Sequence, residues 1–361
     1  MSNREIPNFF TVEDLKKVRS DAQYIFLLSN RNCGKSYATK SLCLQEAYAN
    51  IRNGHCYRQL AYMRRFDVDI KDSTCEPYFA DMPVQEITNN EFTFVSVYHK
   101  DIYFATRDEK TGRTLRHIKI GHCFPLSGAE HFKSLMYPDI YSIILEEVVS
   151  QNNDYLFNEP EQFQQAVSSI LRDKPDCHAY LIGNTLSRMC PYYNDFGLKD
   201  SDNIKIGQTM VYHIDEAKIV VHRCEPVDYN SKMYFGRARR NIVEADYITH
   251  VCPHLPKKLK EYNINYKCVL EYDSFRYFLR LLTDPASGNV FWYCEPLTTP
   301  LKEKTRIISN QWHDNIYHSY NFRGLTSEET AAFSLMIRDN KVVFSDNLTG
   351  TEFNNIITKF K

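Results

Sequence analysis

The stretch Ser29-Asn30-Arg31-Asn32-Cys33-Gly34-Lys35-Ser36 follows directly on the apolar run Tyr24-Ile25-Phe26-Leu27-Leu28, and this junction constrains the fold most. An apolar strand that breaks into a glycine-containing loop and then a helix has the order of a phosphate-binding loop. In such a loop, backbone N–H groups and a helix N-terminus converge on the β- and γ-phosphates, a lysine adds a point charge, and a hydroxyl ligates Mg²⁺. Lys35 and Ser36 fit those two roles, and residues 29–36 form the expected cradle for ATP. The pattern GxxxxGK[ST] is met at Gly34, Lys35 and Ser36, whereas Ser29 stands where the first glycine is usual. The segment Tyr37 to Ala47 follows as a helix, with Tyr37, Leu44 and Ala47 spaced for packing.

A phosphate loop needs a partner strand that anchors Mg²⁺ and orients the attacking water. The run Ile140-Tyr141-Ser142-Ile143-Ile144-Leu145 ends in Glu146-Glu147 and supplies both carboxylates. By position Glu146 would hold Mg²⁺ through water and Glu147 would polarise the nucleophile. Arginine from a neighbouring subunit often neutralises transition-state charge. Arg172, at the end of a helix expected over 158–172, is a candidate on spacing alone, and Lys133 is undistinguished by itself.

Strands alternating with helices to about residue 200 predict an α/β domain with a mostly parallel sheet. Thr11 three residues before Asp14 predicts a capped helix leading to the strand at Tyr24. Beyond about residue 256 short strands dominate, among them Tyr266–Tyr272, Arg276–Leu282 and Val290–Cys294, so a smaller α+β domain is expected there. We place the ATPase domain at 1–225, a linker at 226–256 and the second domain at 257–361. With 361 residues the chain is long enough for two such cores.

The net charge of −1 excludes a globally basic nucleic-acid binder, so any DNA contact must be a local patch. The densest basic region holds Arg237, Arg239 and Arg240, with Lys257 and Lys258 after it, and would grip phosphate backbones without reading sequence. The 11 cysteines form no CxxC pair and follow no secretory signal, which suits reduced thiols in a cytosol-like compartment. No apolar run approaches the ~18 to 20 residues of a membrane span. Glu271 and Asp273 alternate onto one face of a strand, but a two-metal nuclease needs further converging carboxylates, and although Asp284, Asp314 and Asp346 are available, none is a convincing third partner.

Arg31 in the loop, Tyr62-Met63-Arg64-Arg65-Phe66, Phe124-Pro125-Leu126-Ser127, Tyr137-Pro138, the Glu146-Glu147 strand end, the Arg172 helix, Gly183-Asn184 and Phe235-Gly236-Arg237 occur in the order found in one family. Over roughly residues 20 to 245 the chain resembles the DNA encapsidation ATPases of small Picovirinae-type podoviruses. The resemblance implies a P-loop ATPase domain of the additional-strand (ASCE) type, joined by a short linker to a vestigial RNase H-like domain. It implies a homomeric ring, a pentamer in the family, on the phage portal of an empty procapsid, with a packaging RNA as a further partner, acting in the host cytoplasm. ATP hydrolysis there drives double-stranded DNA inward. Position by position, it gives Lys35 and Ser36 the phosphate and Mg²⁺ roles, Arg31 that of the loop arginine, and Glu147 that of the catalytic glutamate. Lys133 and Arg172 match residues acting in trans, and Asn184 matches the coupling residue. Glu146 departs from the aspartate frequent at its position. A terminase large subunit with a working nuclease and a non-catalytic nucleotide-binding scaffold remain as alternatives.

Overall fold

The computed structural model describes residues 9–132, 135–150, 154–172, 174–184, 189–227, 250–272, 275–300, 305–309, 318–320, 332, 339 and 341–357. The chain divides into two compact units, Met1–Tyr247 and Ile248–Lys361.

The first unit opens with helix α1 (Val12–Arg19), strand β1 (Tyr24–Ser29) and helix α2 (Lys35–Ala49). A small hairpin of β2 (Ile51–Arg52) and β3 (His55–Cys56) leads to β4 (Gln59–Arg64), then α3 (Asp72–Tyr78) and α4 (Val84–Ile87). Next come β5 (Phe94–Tyr98), β6 (Asp101–Arg107), β7 (Thr114–Pro125), the single turn α5 (Ala129–Phe132) and β8 (Ile140–Glu146). The unit continues with α6 (Glu159–Leu171), β9 (His178–Asn184), α7 (Pro191–Asp195), β10 (Thr209–Ile214) and β11 (Ala217–Arg223).

Nine of these strands form one sheet in the order β10-β11-β1-β9-β8-β4-β7-β6-β5. From β11 through to β7 every pairing is parallel, and the antiparallel strands lie at the two edges. Parallel strands buried on both faces read as continuous apolar runs, and β1, β4 and β9 have that character. One face carries a core built on Leu15, Leu42, Leu44, Phe79 and Phe104, the other a core built on Phe26, Phe163, Ile170 and Tyr192.

The capping box at Thr11 is present: the Asp14 amide donates to Thr11 Oγ1 at 3.2 Å and the Thr11 amide to Asp14 Oδ2 at 3.1 Å. Such a cap contributes about 1 kcal/mol and fixes where the chain turns toward β1. Helix α2 is buried nearly all round, down to Thr39 and Ser41, because it lies between α1 and the sheet. One packing expectation fails: Tyr37 is 43% exposed, while Leu44 and Ala47 are buried. The first turn of α2 borders a cavity, so a residue there turns to the surface while those a turn or more later reach the core.

The second unit contains β12 (Asn263–Tyr272), β13 (Phe275–Thr283), β14 (Val290–Pro296), β15 (Arg306–Ser309), β16 (His318–Tyr320), β17 (Val342–Phe344) and helix α8 (Asn347–Ile357). Its sheet runs β16-β15-β12-β13-β14-β17. β12, β13 and β14 form an antiparallel meander, while β15 and β16 add in parallel on the β12 side.

Candidate functional site

Parallel α/β sheets bind ligands beyond the carboxyl ends of their strands, where loops and helix N-termini meet. Here β1, β9 and β8 end side by side, with Ser29 opposite Asn184 and Glu146 opposite Ile182. The insertion of β9 between β1 and β8 sets the loop and the double glutamate two strand spacings apart, about 10 Å. A cavity of about 780 Å³ opens over this edge, lined by Arg31 to Tyr37, by Glu146 and Glu147, by Gly183 and Asn184, and by Phe9 to Val12.

The loop geometry depends on Gly34. It sits at φ +100°, and a Cβ there would stand 2.7 Å from the Phe10 carbonyl oxygen, so both the conformation and the space demand glycine. As the N-cap of α2, Gly34 provides no side-chain cap, and the first turn of the helix has no acidic residue. The positive end of the α2 dipole therefore faces the cavity without an internal counter-charge on its own first turn.

Lys35 is only 5% exposed. Its Nζ donates to the Asn30 carbonyl at 2.7 Å and to Asn184 Oδ1 at 2.9 Å. Among the described residues no carboxylate forms an ion pair with it. A buried ammonium held by two neutral oxygens, with Cys33 Sγ at 4.0 Å and, among the described residues, no carboxylate on it, beside a bare helix N-terminus, makes a site for an anion. Ser36 lies in the same first turn and lines the same cavity, whereas Arg31 and Asn32 are exposed at the loop tip.

Ser29 has a structural explanation that its motif position hides. It is the last residue of β1 and fully buried, and its hydroxyl donates to the Cys224 carbonyl at 3.0 Å and contacts Asn30 Oδ1 at 3.1 Å. The side chain thus ties β1 to the end of β11 and away from the cavity. Ser29→Gly is expected to leave nucleotide affinity within about three-fold and to lower stability by about 1 to 2 kcal/mol, from one lost hydrogen bond and added chain freedom. Titration calorimetry and thermal denaturation check this; a tenfold gain in affinity would contradict it. Cys33, also buried, packs with Cys224 and Val227 against Phe9 and Phe10. A hydrogen bond with Cys224, opposed by burial and aided by the Lys35 charge, pulls its thiol down to about 5.

Across the cavity, Glu146 Oε1 accepts the Tyr78 hydroxyl at 2.7 Å. Tyr78 also covers Lys40, whose Nζ donates to the Tyr78 carbonyl at 2.6 Å and to Asp81 at 2.5 Å. Glu147 adopts φ +61°, and its side chain is 56% exposed with Oε2 accepting Arg64 Nη2 at 2.7 Å. The chain then crosses the end of β9, where the Val148 amide donates to the Ile182 carbonyl at 3.0 Å. Gly183 permits that crossing, since a Cβ there would stand 2.9 Å from Val148 Cγ1. Ser36 and Glu146, facing one cavity from opposite sides, are the residues with the chemistry to hold a Mg²⁺–phosphate pair.

The structure thus gathers residues 31–36, Glu146, Glu147 and Asn184 at one edge. It sets Arg172 elsewhere. α6 starts at Glu159, beside the end of β4, and its C-cap Arg172 is exposed, with Nη2 donating to the Leu135 carbonyl and Nε to the Ser169 carbonyl, both at 3.3 Å. Lys174, two residues on, donates to the carbonyls of Tyr137 and Ile140, which places this helix end at the amino edge of β8. Lys133 lies outside the described residues, as do Arg237, Arg239, Arg240, Asp273 and Asp314. Lys257 and Lys258 are exposed, and Lys257 stands 3.5 Å from Asp284. The Glu147 contact of Arg64, the Tyr78–Glu146 bond and the place of Lys40 were not foreseen. Of these, only Arg64 carries a local sign in the sequence, as one of two adjacent arginines that end the apolar run 60–63.

In the second unit Glu271 is fully buried, paired with Arg276 and accepting the Ser309 hydroxyl at 3.1 Å. Asp346 caps α8 by accepting the Thr349 amide at 2.8 Å, and Asp284 accepts the Ala286 amide at 3.0 Å in a turn. Among the described residues no group of three or more His, Cys, Asp or Glu side chains is placed to hold a metal. Among them, too, no helix is long and apolar enough to cross a membrane.

Residues 10–248 match the family model described as Podovirus DNA encapsidation protein (Gp16). The DNA packaging protein of Bacillus phage B103 is 28% identical over 175 residues, covering 48% of this chain and 47% of that protein. The DNA packaging protein of Bacillus phage PZA is 26% identical over 217 residues, covering 59% and 56%. The chain therefore spans about half the length of the curated relatives it matches. Among solved structures, the bacteriophage Phi-29 viral genome packaging motor assembly aligns with a TM-score of 0.59 at 17% identity, over 98% of this chain and 100% of that one. The Phi-28 gp11 DNA packaging motor aligns with a TM-score of 0.53, also at 17% identity, over 98% of each chain. At that identity both speak for the fold.

Proposed function

We propose a function from one premise: the chain belongs to the Podovirus DNA encapsidation protein family. On our reading it binds ATP with Mg²⁺ at the β1–α2 loop, hydrolyses it, and uses the energy to move double-stranded genomic DNA into a procapsid. The observation that carries the reading is Lys35, a buried ammonium without a carboxylate partner among the described residues, set at the N-terminus of α2 and facing the Glu146-Glu147 strand end across Asn184. In this reading the loop amides and Lys35 hold the phosphates, and Ser36 and Glu146 would hold Mg²⁺, which supplies charge neutralisation when bound. Glu147 orients and deprotonates the attacking water. Asn184, bonded to Lys35, ties the nucleotide side to the end of β9.

The order β11-β1-β9-β8-β4, with β9 between the loop strand and the glutamate strand, supports an additional-strand P-loop ATPase for the first unit. We read the second unit as a degenerate RNase H-like domain, supported by its antiparallel meander with two strands added in parallel beside β12. The capture of Glu271 by Arg276 and Ser309 supports loss of nuclease chemistry, because two-metal cleavage needs carboxylates free to bind the ions. Arg237, Arg239 and Arg240 with Lys257 and Lys258 are assigned to DNA phosphates, and the portal, a packaging RNA and a homomeric, pentameric ring in the host cytoplasm are the partners and setting we assign. The domain limits 1–225, 226–256 and 257–361 remain our proposal.

The direct test is DNA-stimulated ATPase and nucleotide binding by the assembled protein. Lys35→Ala is expected to weaken Mg·ATP binding about 100-fold, since a buried, desolvated charge contact to phosphate contributes about 2 to 3 kcal/mol. Wild-type hydrolysis by Lys35→Ala would overturn the assignment.

A further inference from the structure

Arg65, the residue after β4, is buried beneath the site, and its guanidinium makes two sets of contacts. Nε and Nη2 form a fork on Glu159, at 2.6 Å to Oε2 and 3.0 Å to Oε1. Nη2 also donates to the backbone carbonyls of Glu147, at 3.1 Å, and Val148, at 3.4 Å. The Tyr155 ring lies against the guanidinium, 4.9 Å from centroid to Cζ. Glu159 is itself fully held: fully buried in the first turn of α6, it accepts in addition the Tyr192 hydroxyl at 3.0 Å and the Leu156 amide at 2.9 Å.

Buried ion pairs are weak evidence for stability, because desolvation of both charges offsets most of their attraction. What this pair does contribute is geometry. Glu147 stands at φ +61°, a conformation that a glutamate adopts only where its surroundings enforce it. At that point the chain leaves the sheet, and the N–H of Arg65 Nη2 not engaged by Glu159 is shared between the two successive carbonyls, nearer that of Glu147. Arg64 and Arg65 act on the same residue from two sides, Arg64 on its carboxylate and Arg65 on its backbone.

We propose that Arg65 is a positioning residue for hydrolysis: locked on Glu159 of α6, it fixes the backbone turn that aims the Glu147 carboxylate. The inference rests on the reading of Glu147 as the group that activates water. A lysine at 65 would keep a charge for Glu159 but lose the planar fork and the simultaneous reach to the carbonyls. Misplacement of a base by about 1 Å costs about 100-fold in rate while leaving phosphate contacts intact.

The test compares steady-state ATP hydrolysis by the full chain in its assembled form across four variants. Arg65→Lys, and Arg65→Met combined with Glu159→Leu, are expected to lower kcat about 10-fold and about 100-fold while KM moves by less than about three-fold. In a Glu147→Gln background the double substitution is expected to cause no further loss, since both act through one group. Wild-type kcat in both folded Arg65 variants, with Glu147→Gln inactive, would overturn the positioning role alone. Retained hydrolysis by Glu147→Gln would instead overturn the underlying reading. Should the apolar pair fail to fold, Arg65→Lys decides, because it leaves Glu159 with a cation.

Discussion

Glu147→Gln is expected to lower ATP hydrolysis by about 10²- to 10⁴-fold while leaving Mg·ATP affinity within a few-fold of wild type. The side chain lines the cavity from the end of β8, on the far side of β9 from Lys35 and Ser36. Glutamine keeps the size and one acceptor oxygen but cannot take a proton, so it removes basicity and little else. Affinity stays because, on the proposed reading, the phosphate contacts come from the loop and α2. Single-turnover hydrolysis and equilibrium binding separate the two effects: loss of binding with loss of turnover would mean that Glu147 holds the nucleotide rather than the water. The 2.7 Å contact from Arg64 sharpens the expectation, since the carboxylate in this structure is engaged by a guanidinium and must leave it to take a proton from water. Half-exposed pairs of this type are weak, so the exchange costs at most about 1 kcal/mol. Arg64→Ala therefore moves the rate far less than Glu147→Gln does.

How much of this was legible in the sequence follows from the distance over which each feature is determined. The loop is local: strand, glycine and helix are contiguous, and Gly34, Lys35 and Ser36 take the places that the pattern assigns. The same holds for the Thr11–Asp14 cap and for the glutamates at the end of an apolar strand. Sheet order is not local. That β9 enters between β1 and β8 depends on how crossover helices divide between the two faces, and no periodicity encodes it. The two arginines after Met63 were visible as a pair at a strand end, but their partners lie 83 and 94 positions away. Ser29 shows a third limit. As a motif position it counts against a phosphate loop, yet its hydroxyl is occupied by the Cys224 carbonyl, a contact set by the β1–β11 pairing.

Arg172→Ala is expected to lower hydrolysis in assembled rings by about 10³- to 10⁵-fold, the range over which an arginine supplied by a neighbour acts on phosphoryl transfer. The topology bears on whether that neighbour is required. α6 runs from Glu159 at the carboxyl edge of the sheet to Arg172 at the amino edge, and its 13 residues span about 20 Å. Arg172 cannot reach the cavity of its own chain, so any transition-state role must be exerted on another subunit. Mixing Arg172→Ala with Lys35→Ala subunits tests this without relying on a loss of function. Each variant alone is expected to be inactive. In a cyclic ring with head-to-tail contacts, equal mixing places an intact loop against an intact arginine at roughly a quarter of the interfaces, and activity should return in that proportion. If the mixed rings are no more active than their parents, or if Arg172→Ala alone hydrolyses ATP at the wild-type rate, Arg172 does not act in trans. A mutational defect confined to folding would lower activity without this recovery, because a misfolded subunit supplies neither half of the site.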